Sequence, residues 1–454
     1  MTSPSRLLLT FYGDDFTGST DTMEVLAQAG LRTLLFMDPP SSAEIAARGD
    51  VQAVGVAGCS RAMSPAEMDA ALPEVFQDLA ALGAPIVRYK VCSTFDSSPS
   101  VGSIGRAIEL GAQATDSAYV PLVVGAPALG RYCVFGNLFA RSGLDTEPFR
   151  LDRHPTMSRH PVTPMDESDL RAHLAKQTSR TCALVDVLDL SAPRAELDRR
   201  FAGRLAGRPG IVLFDTLRED HLPAIGRLVW EAAEAAPPVF VAGSSGVEYA
   251  LAAHWRSEGR FEEPGEMTCG AADALVVVSG SCSPVTAQQI DYATRHGFHE
   301  IALDTEALVA PTTRDAAESR YADEASDAVA RGESVTLHTA RGPDDPRVEA
   351  TRRLVGAPAA AAATLGGSLG RILSAILSQT RVPRAVVTGG DSSYHAARAL
   401  GIRSLETVAP IQPGSPMCRV HADNAAVDGV EMLFKGGQVG RPDIFIHALR
   451  GSAP

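Results

Sequence analysis

The feature that most constrains this chain is a repeated handover, in which a short apolar run stops at Gly, Ser or Asp and the sequence re-enters with helical spacing. Leu7-Leu8-Leu9-Thr10-Phe11-Tyr12 passes into Gly13-Asp14-Asp15-Phe16-Thr17-Gly18-Ser19-Thr20. The run 274–278 passes into Ser279-Gly280-Ser281-Cys282-Ser283-Pro284, and Ala385-Val386-Val387-Thr388 into Gly389-Gly390-Asp391-Ser392. Runs of this kind suit strands buried on both faces, and strands alternating with amphipathic helices require a largely parallel sheet covered on both sides. Further strands are expected at 31–37, 51–57, 85–89, 119–124, 183–188, 211–214, 239–242 and 431–434. Helices are expected at 21–30, 65–82, 102–111, 195–205, 222–235, from 246, at 285–296 and at 367–377. The Ala-rich stretch 357–363 reads as a linker into the last of these.

At 454 residues the chain exceeds what one core usually organises. The segment 256–273 carries charge, Gly and Pro without periodicity and separates two α/β runs, so we expect two domains, 1–257 and 274–454, each a largely parallel sheet flanked by helices. The net charge of −13, with no basic stripe interleaved with aromatics, argues against nucleic acid and anionic lipid as partners. Seven scattered cysteines without a CxxC pair argue against a disulfide framework and a zinc site. With no basic-then-apolar leader and no apolar run of ~18 residues, the expected location is cytoplasmic.

In an open α/β sheet ligands sit beyond the carboxyl ends of strands, which is where Asp14 and Asp15 project. An Asp before a helix is also a common cap, but two carboxylates followed by Thr17, Gly18, Ser19 and Thr20 exceed what one cap requires. Lys90-Val91-Cys92-Ser93-Thr94-Phe95-Asp96 follows a strand and joins one cation to several hydroxyls, a set suited to gripping a carboxylate; the plain alternative is a Ser/Thr-rich surface loop. The irregular stretch 125–169 holds Arg131, Asn137, His154 and Arg159-His160, where a lone His is more often a hydrogen-bonding structural residue than a proton carrier. Gly243-Ser244-Ser245-Gly246 opens a helix and serves equally as anion site or tight turn. Beyond residue 273 three Gly-rich features, 279–284, 389–392 and 435–440, together fit a polyphosphate ligand better than turns alone, although no GxxxxGK[ST] or strand-borne GxGxxG pattern is present.

These residues taken in order resemble the four-carbon acid sugar kinase family. The likeness runs through Gly13-Asp14-Asp15-Phe16-Thr17-Gly18, the segment 159–165, Gly280-Ser281-Cys282-Ser283-Pro284, Gly389-Gly390-Asp391, Pro413-Gly414-Ser415-Pro416 and Lys435-Gly436-Gly437. It implies an N-terminal sugar-acid-binding domain and a C-terminal ATP-binding domain, with phosphate placed on the terminal hydroxyl of a tetronate-type acid. By that resemblance Asp14, Asp15 and Lys90 belong to the acid's side. Ser279, Ser281, Ser283, Gly389, Gly390, Asp391, Ser392, Gly414, Gly436 and Gly437 belong to the nucleotide's side. Where many relatives have Lys-x-Asp-Ser-Thr-x-Arg-Gly, this chain has Lys90-Val91-Cys92-Ser93-Thr94-Phe95-Asp96-Ser97, a form closer to members acting on 3-oxo acids such as 3-oxo-tetronate and the branched 3-oxo-isoapionate.

The expectation is therefore an ATP- and Mg²⁺-dependent kinase whose interdomain cleft closes over both ligands. Asp14 or Asp15 would orient or deprotonate the attacking hydroxyl, while Thr17, Lys90, Ser93, Thr94, Arg159 and His160 bind the acid; the metal ligands stay unassigned. A homodimer is compatible with this reading. Two rivals stand beside it: a two-domain sensor that binds without turnover, and a phosphosugar lyase or aldolase that needs no nucleotide.

Overall fold

A computed structural model of the chain describes residues 7–142, 146–160, 162–261, 265–356 and 358–452. Parts of the expected features at 1–257, 159–165, 256–273, 274–454 and 357–363 thus lie outside the described residues, including Pro161 and Ala357. Contacts divide the chain into two units: Met1–Asp14, Val25–Thr33 and Pro39–Pro264 form one, and Asp15–Glu24, Leu34–Asp38 and Gly265–Pro454 the other.

The first unit is organised by parallel strands in the order Ala53–Ala57, Leu9–Gly13, Ile86–Lys90, Val239–Gly243, Val120–Val123, Ile211–Phe214 and Cys182–Val185. The innermost are buried along their whole length, mostly as apolar runs, with Arg88 of Ile86–Lys90 buried in an ion pair with Glu248. Helices between them bury one face: Pro65–Ala81 turns Met68, Leu72, Phe76 and Leu79 inward, and starts at Ser64, whose hydroxyl accepts from the Glu67 N–H while Glu67 answers at the Ser64 N–H. The register sets Ala57, Gly13, Lys90 and Gly243 side by side, so the loops after these strands leave from one line.

The stretch 125–169 is more regular than its sequence suggests. Arg131–Val134, Asn137–Arg141 and Pro148–Arg150 pair as a small antiparallel sheet. These strands are three to five residues long and only partly buried, so they carry too few apolar positions to show a period.

In the second unit His299–Ala302, Val335–His338, Val276–Ser279, Arg384–Thr388 and Glu431–Lys435 run parallel in that order. The sheet continues with a long antiparallel hairpin, Ile402–Gln412 and Ser415–Ala422, whose first strand also pairs with Leu34–Phe36. Here too the strand ends line up: His338, Ser279, Thr388 and Lys435 share one register position.

The expected linker at 357–363 is corrected: Pro358–Thr380 is one continuous helix. Alanine has the highest intrinsic helix propensity, so an Ala run extends a helix that already has a buried face. By length and composition its span Ala360–Thr380 would suffice to cross a membrane. Yet Leu369, Ile372, Leu373, Ile376 and Leu377 are fully buried, and Arg371 forms a two-pronged ion pair with Glu318 of the helix Arg314–Ala330. It is packed as a core helix of its unit.

Candidate active site

Asp14 directly follows the strand Leu9–Gly13, and its N–H donates to the Lys90 carbonyl at 2.9 Å. Its carboxylate is buried and taken by Arg61, with Nη2 on Oδ1 at 2.7 Å and Nε on Oδ2 at 3.1 Å. Arg61 lies on the turn after the adjacent strand, its N–H held by the Asp14 carbonyl at 3.0 Å, and its side chain stays 28% exposed. Asp14 thus fixes a guanidinium that stays partly open to solvent. Nothing in the sequence marks Arg61: it sits 47 positions from its partner in an ordinary-looking turn.

Lys90 ends the neighbouring strand and is buried. Along the loop that follows, the Thr94 hydroxyl donates to Asp96 Oδ1 at 2.7 Å and meets Cys92 Sγ at 2.9 Å, while burial pushes the Cys92 thiol up from its usual range. Ser93 is half-buried in the same loop. Behind it Ser97 Oγ, His173 Nε2 and Gln177 Nε2 form a buried triangle of contacts between 2.9 and 3.0 Å. Burial holds the His173 imidazole down at about 4, so it is neutral at ordinary pH and serves as a fixed hydrogen-bonding strut for the loop.

Arg159 and His160 are placed differently. Arg159 is exposed at the end of the turn Met157–Arg159, and His160 Nδ1 accepts from the N–H of Thr163 at 3.1 Å, tying its own loop. His154 likewise caps a turn, its Nδ1 accepting from the N–H groups of Thr156 and Met157, both at 3.2 Å.

Asp15 belongs with the second unit. It begins the helix Phe16–Gln28: Oδ1 accepts from the Gly18 N–H at 3.0 Å, Oδ2 from the Thr17 hydroxyl at 2.9 Å, and its carbonyl from the Ser19 N–H at 3.1 Å. The capping role is therefore real, and it leaves the carboxylate half-exposed. Phe16 stacks edge-on to Phe434 at 5.0 Å, and Thr17 Oγ1 lies 4.0 Å from the point where a side chain on Gly436 would begin.

Gly436 is part of a junction of three loops. Ser279, Ser281 and Ser283 form a relay in which each hydroxyl accepts from the N–H two residues on, the last capping the helix Pro284–Arg295 at Val285. A Cβ on Gly280 would stand 2.2 Å from Ser392 Oγ, and one on Gly437 2.5 Å from Ser281 Oγ, so the loops touch where neither can carry a side chain. Ser392 is buried against Gly280, and Gly389 at φ +117° lets its loop turn sharply into the helix Gly390–Ala399, with Asp391 exposed in the first turn. The helix start at Gly390 has no side-chain cap, and the one at Pro284 is capped by its own serines, whose hydroxyls surround the loop; main-chain dipoles and hydroxyls of this kind are chemistry that can receive anionic oxygens. Beneath it Lys435 is fully buried, a side chain that the sequence offers only as the first letter of its Gly-rich motif.

Gly414 is not brought to this junction. It turns the long hairpin, and its N–H donates to Glu24 Oε2 at 2.8 Å, with Asp21 beside it. Burial, and next the Asp21 charge, push the Glu24 carboxyl up to about 8.

Compared with known proteins, the chain matches a sugar-binding N-terminal domain family over residues 9–251 and a nucleotide-binding C-terminal domain family over residues 276–445. It is 47% identical over 449 residues to the 3-oxo-isoapionate kinase of Paraburkholderia graminis, covering 97% of this chain and 94% of that one. The chain belongs to the four-carbon acid sugar kinase family. A 3-oxo-tetronate kinase of Pseudomonas fluorescens is 30% identical, with 98% and 97% of the chains covered. Among solved structures, a Salmonella typhimurium LT2 protein provisionally described as a tRNA synthase superposes with a TM-score of 0.75 at 25% identity, over 98% of this chain and 99% of that one. A Haemophilus influenzae protein reaches 0.70 at 22% identity over 97% and 98%, a likeness of fold. Membership accounts for the two α/β units and makes the chain an ATP-using sugar-acid kinase.

Proposed function

We propose that this kinase phosphorylates the terminal hydroxyl of a 3-oxo sugar acid, with 3-oxo-isoapionate the first candidate and 3-oxo-tetronate the second. The observation that carries the reading is the Thr17 hydroxyl, which donates to Asp15 Oδ2 at 2.9 Å and lies 4.0 Å from where a side chain on Gly436 of the three-loop junction would begin. Phosphoryl transfer calls for in-line positioning and neutralisation of charge more than for covalent chemistry. The loop N–H groups and the hydroxyls of Ser279, Ser281, Ser283 and Ser392 hold the phosphates, with Gly389, Gly390, Gly436 and Gly437 giving them access. Asp15 orients the acceptor hydroxyl and takes its proton. Arg61, held by Asp14, and Lys90 bind the acid's carboxylate, and Ser93 and Thr94 meet its oxo and hydroxyl groups. Arg159, His160 and Gly414 have outlying parts: Arg159 is an exposed residue, His160 ties its own loop, and Gly414 steadies the first helix.

The likeness of the Cys92–Asp96 loop to members acting on 3-oxo acids, and the 47% identity to a 3-oxo-isoapionate kinase, support the choice of substrate. Among the described residues there is no group of three or more His, Cys, Asp and Glu side chains fit to cage a metal. Mg²⁺ would be carried in on the phosphates, with the exposed Asp391 as the carboxylate to meet it. When bound, Mg²⁺ would neutralise phosphate charge. The test is ADP release on a panel of tetronates and 3-oxo acids. Turnover on 3-oxo-isoapionate above the others supports the reading; nucleotide binding without turnover on any acid favours a sensor.

A further inference from the structure

Lys435 Nζ has Thr388 Oγ1 at 2.9 Å and Thr286 Oγ1 at 3.4 Å as its hydrogen-bond partners among the described residues. Thr388 ends the strand that runs into Gly389–Ser392. Thr286 stands in the first turn of the helix after Ser279–Ser283, and its own hydroxyl donates to the Gly437 carbonyl at 2.8 Å. The Lys435 carbonyl in turn accepts from the Gly389 N–H at 3.0 Å. One side chain therefore braces the supports of all three loops.

Both partners are neutral. The charged or titratable groups on the elements packed around Lys435 are Asp391, Tyr394, His395 and Arg398 on the helix Gly390–Ala399, Asp21 and Glu24 on the first helix with Asp15 just before it, Asp291, Tyr292 and Arg295 on the helix Pro284–Arg295 with Cys282 before it, Arg384 at the far end of the neighbouring strand, Glu431 on its own strand, and Arg403, Glu406, Cys418, Arg419 and His421 on the hairpin. None of them shifts the amine; burial alone pulls it down to about 7. A cation in a dry site without a counter-charge is costly and favours the neutral amine. A polyphosphate seated on Gly436 and Gly437, the next two residues, supplies the missing negative charge.

We propose that Lys435 is the positioning residue of the nucleotide loops and takes up a proton from solvent when ATP binds, becoming the ammonium that faces the phosphates across the loop backbone and shedding that proton when nucleotide leaves. The inference rests on the reading that these loops hold ATP. It adds that nucleotide affinity and the protonation of one buried amine are linked.

Calorimetric titration of the full chain with a non-hydrolysable ATP analogue and Mg²⁺, at a pH of about 8 in buffers of low and high ionisation enthalpy, counts the protons. Wild type is expected to take up a fraction approaching one proton, with affinity falling as pH rises through about 7. Lys435→Arg, permanently charged, is expected to bind within about threefold of wild type without the uptake. Lys435→Met is expected to lose the uptake and about tenfold or more in affinity, raising KM for ATP but not for the acid. Equal proton counts in wild type and Lys435→Met overturn the proposal, and so does unchanged affinity in Lys435→Met. If neither variant folds, zero uptake by wild type overturns it alone. Failure of wild type to bind any nucleotide would instead strike the kinase reading.

Discussion

In the first unit the candidate site residues are charged side chains at the ends of parallel strands, Asp14 clamped to Arg61 with Lys90 next in register. In the second, the equivalent strand ends, Ser279, Thr388 and Lys435, lead into loops that present main chain and hydroxyls, packed so closely that Gly280 and Gly437 leave no room for a methyl group. The same parallel-sheet plan is thus finished in two materials. A side-chain site changes what it recognises with one substitution, as the Cys92–Asp96 loop differs from the form common in the family. A main-chain site resists change, because a Cβ at Gly280 or Gly437 must displace a neighbour. That division suits a kinase whose nucleotide stays constant while its acid varies.

Asp15 is the carboxylate proposed to take the acceptor's proton, so its loss is expected to have the largest effect. Asn caps a helix as well as Asp does, so Asp15→Asn removes charge while keeping the fold; turnover should fall by ~10²–10⁴ with nucleotide affinity nearly intact. Wild-type turnover in this variant would remove Asp15 from the chemistry. Next, Gly437→Ala tests the main-chain half: overpacking typically costs ~1–3 kcal/mol, so KM for ATP should rise roughly tenfold while KM for the acid holds. Arg61→Gln tests the other half in mirror image. Loss of a charged hydrogen bond, ~1.5–3 kcal/mol, should raise KM for the acid about tenfold and leave that for ATP alone. If either variant moves the wrong constant, the comparison is broken.

A smaller effect concerns the Gly414 hairpin. The Glu24 carboxyl keeps its proton in the folded chain up to about 8 but loses it near 4.5 when unfolded, so its contribution to stability is full below about 4.5 and is lost as pH rises towards 8. Glu24→Gln keeps an acceptor for the Gly414 N–H. Its melting temperature should exceed that of wild type near pH 8 and converge with it near pH 5. A KM for ATP unmoved by this change would mark Gly414 as scaffold. Smallest of all, Arg159→Ala should alter KM for the acid by less than about twofold, as exposed positions usually do.

Much of this was legible in the sequence because buried parallel strands spell themselves out: Ile211–Phe214 and the helix Leu222–Ala235 fall where their patterns place them. The Gly/Ser loops were legible too, since few other residues make such turns. What sequence could not show is pairing across distance. The Arg61 guanidinium meets Asp14 through register between neighbouring strands, and Lys435 matters through threonines on two other elements. The alanines after 357 misled because small residues mark both linkers and helices, and only packing separates the two.

The assignment of Asp15–Glu24 and Leu34–Asp38 to the second unit bears on inheritance. Relatives that differ in the acid they use invite the exchange of halves at residue 265, as if each were a cassette. A transplanted half cut there would lose Phe16 from Phe434 and the strand neighbour of Ser404–Glu406. Chimaeras should fold when residues 15–24 and 34–38 travel with the nucleotide half, and lineages of this family should tend to inherit both halves together.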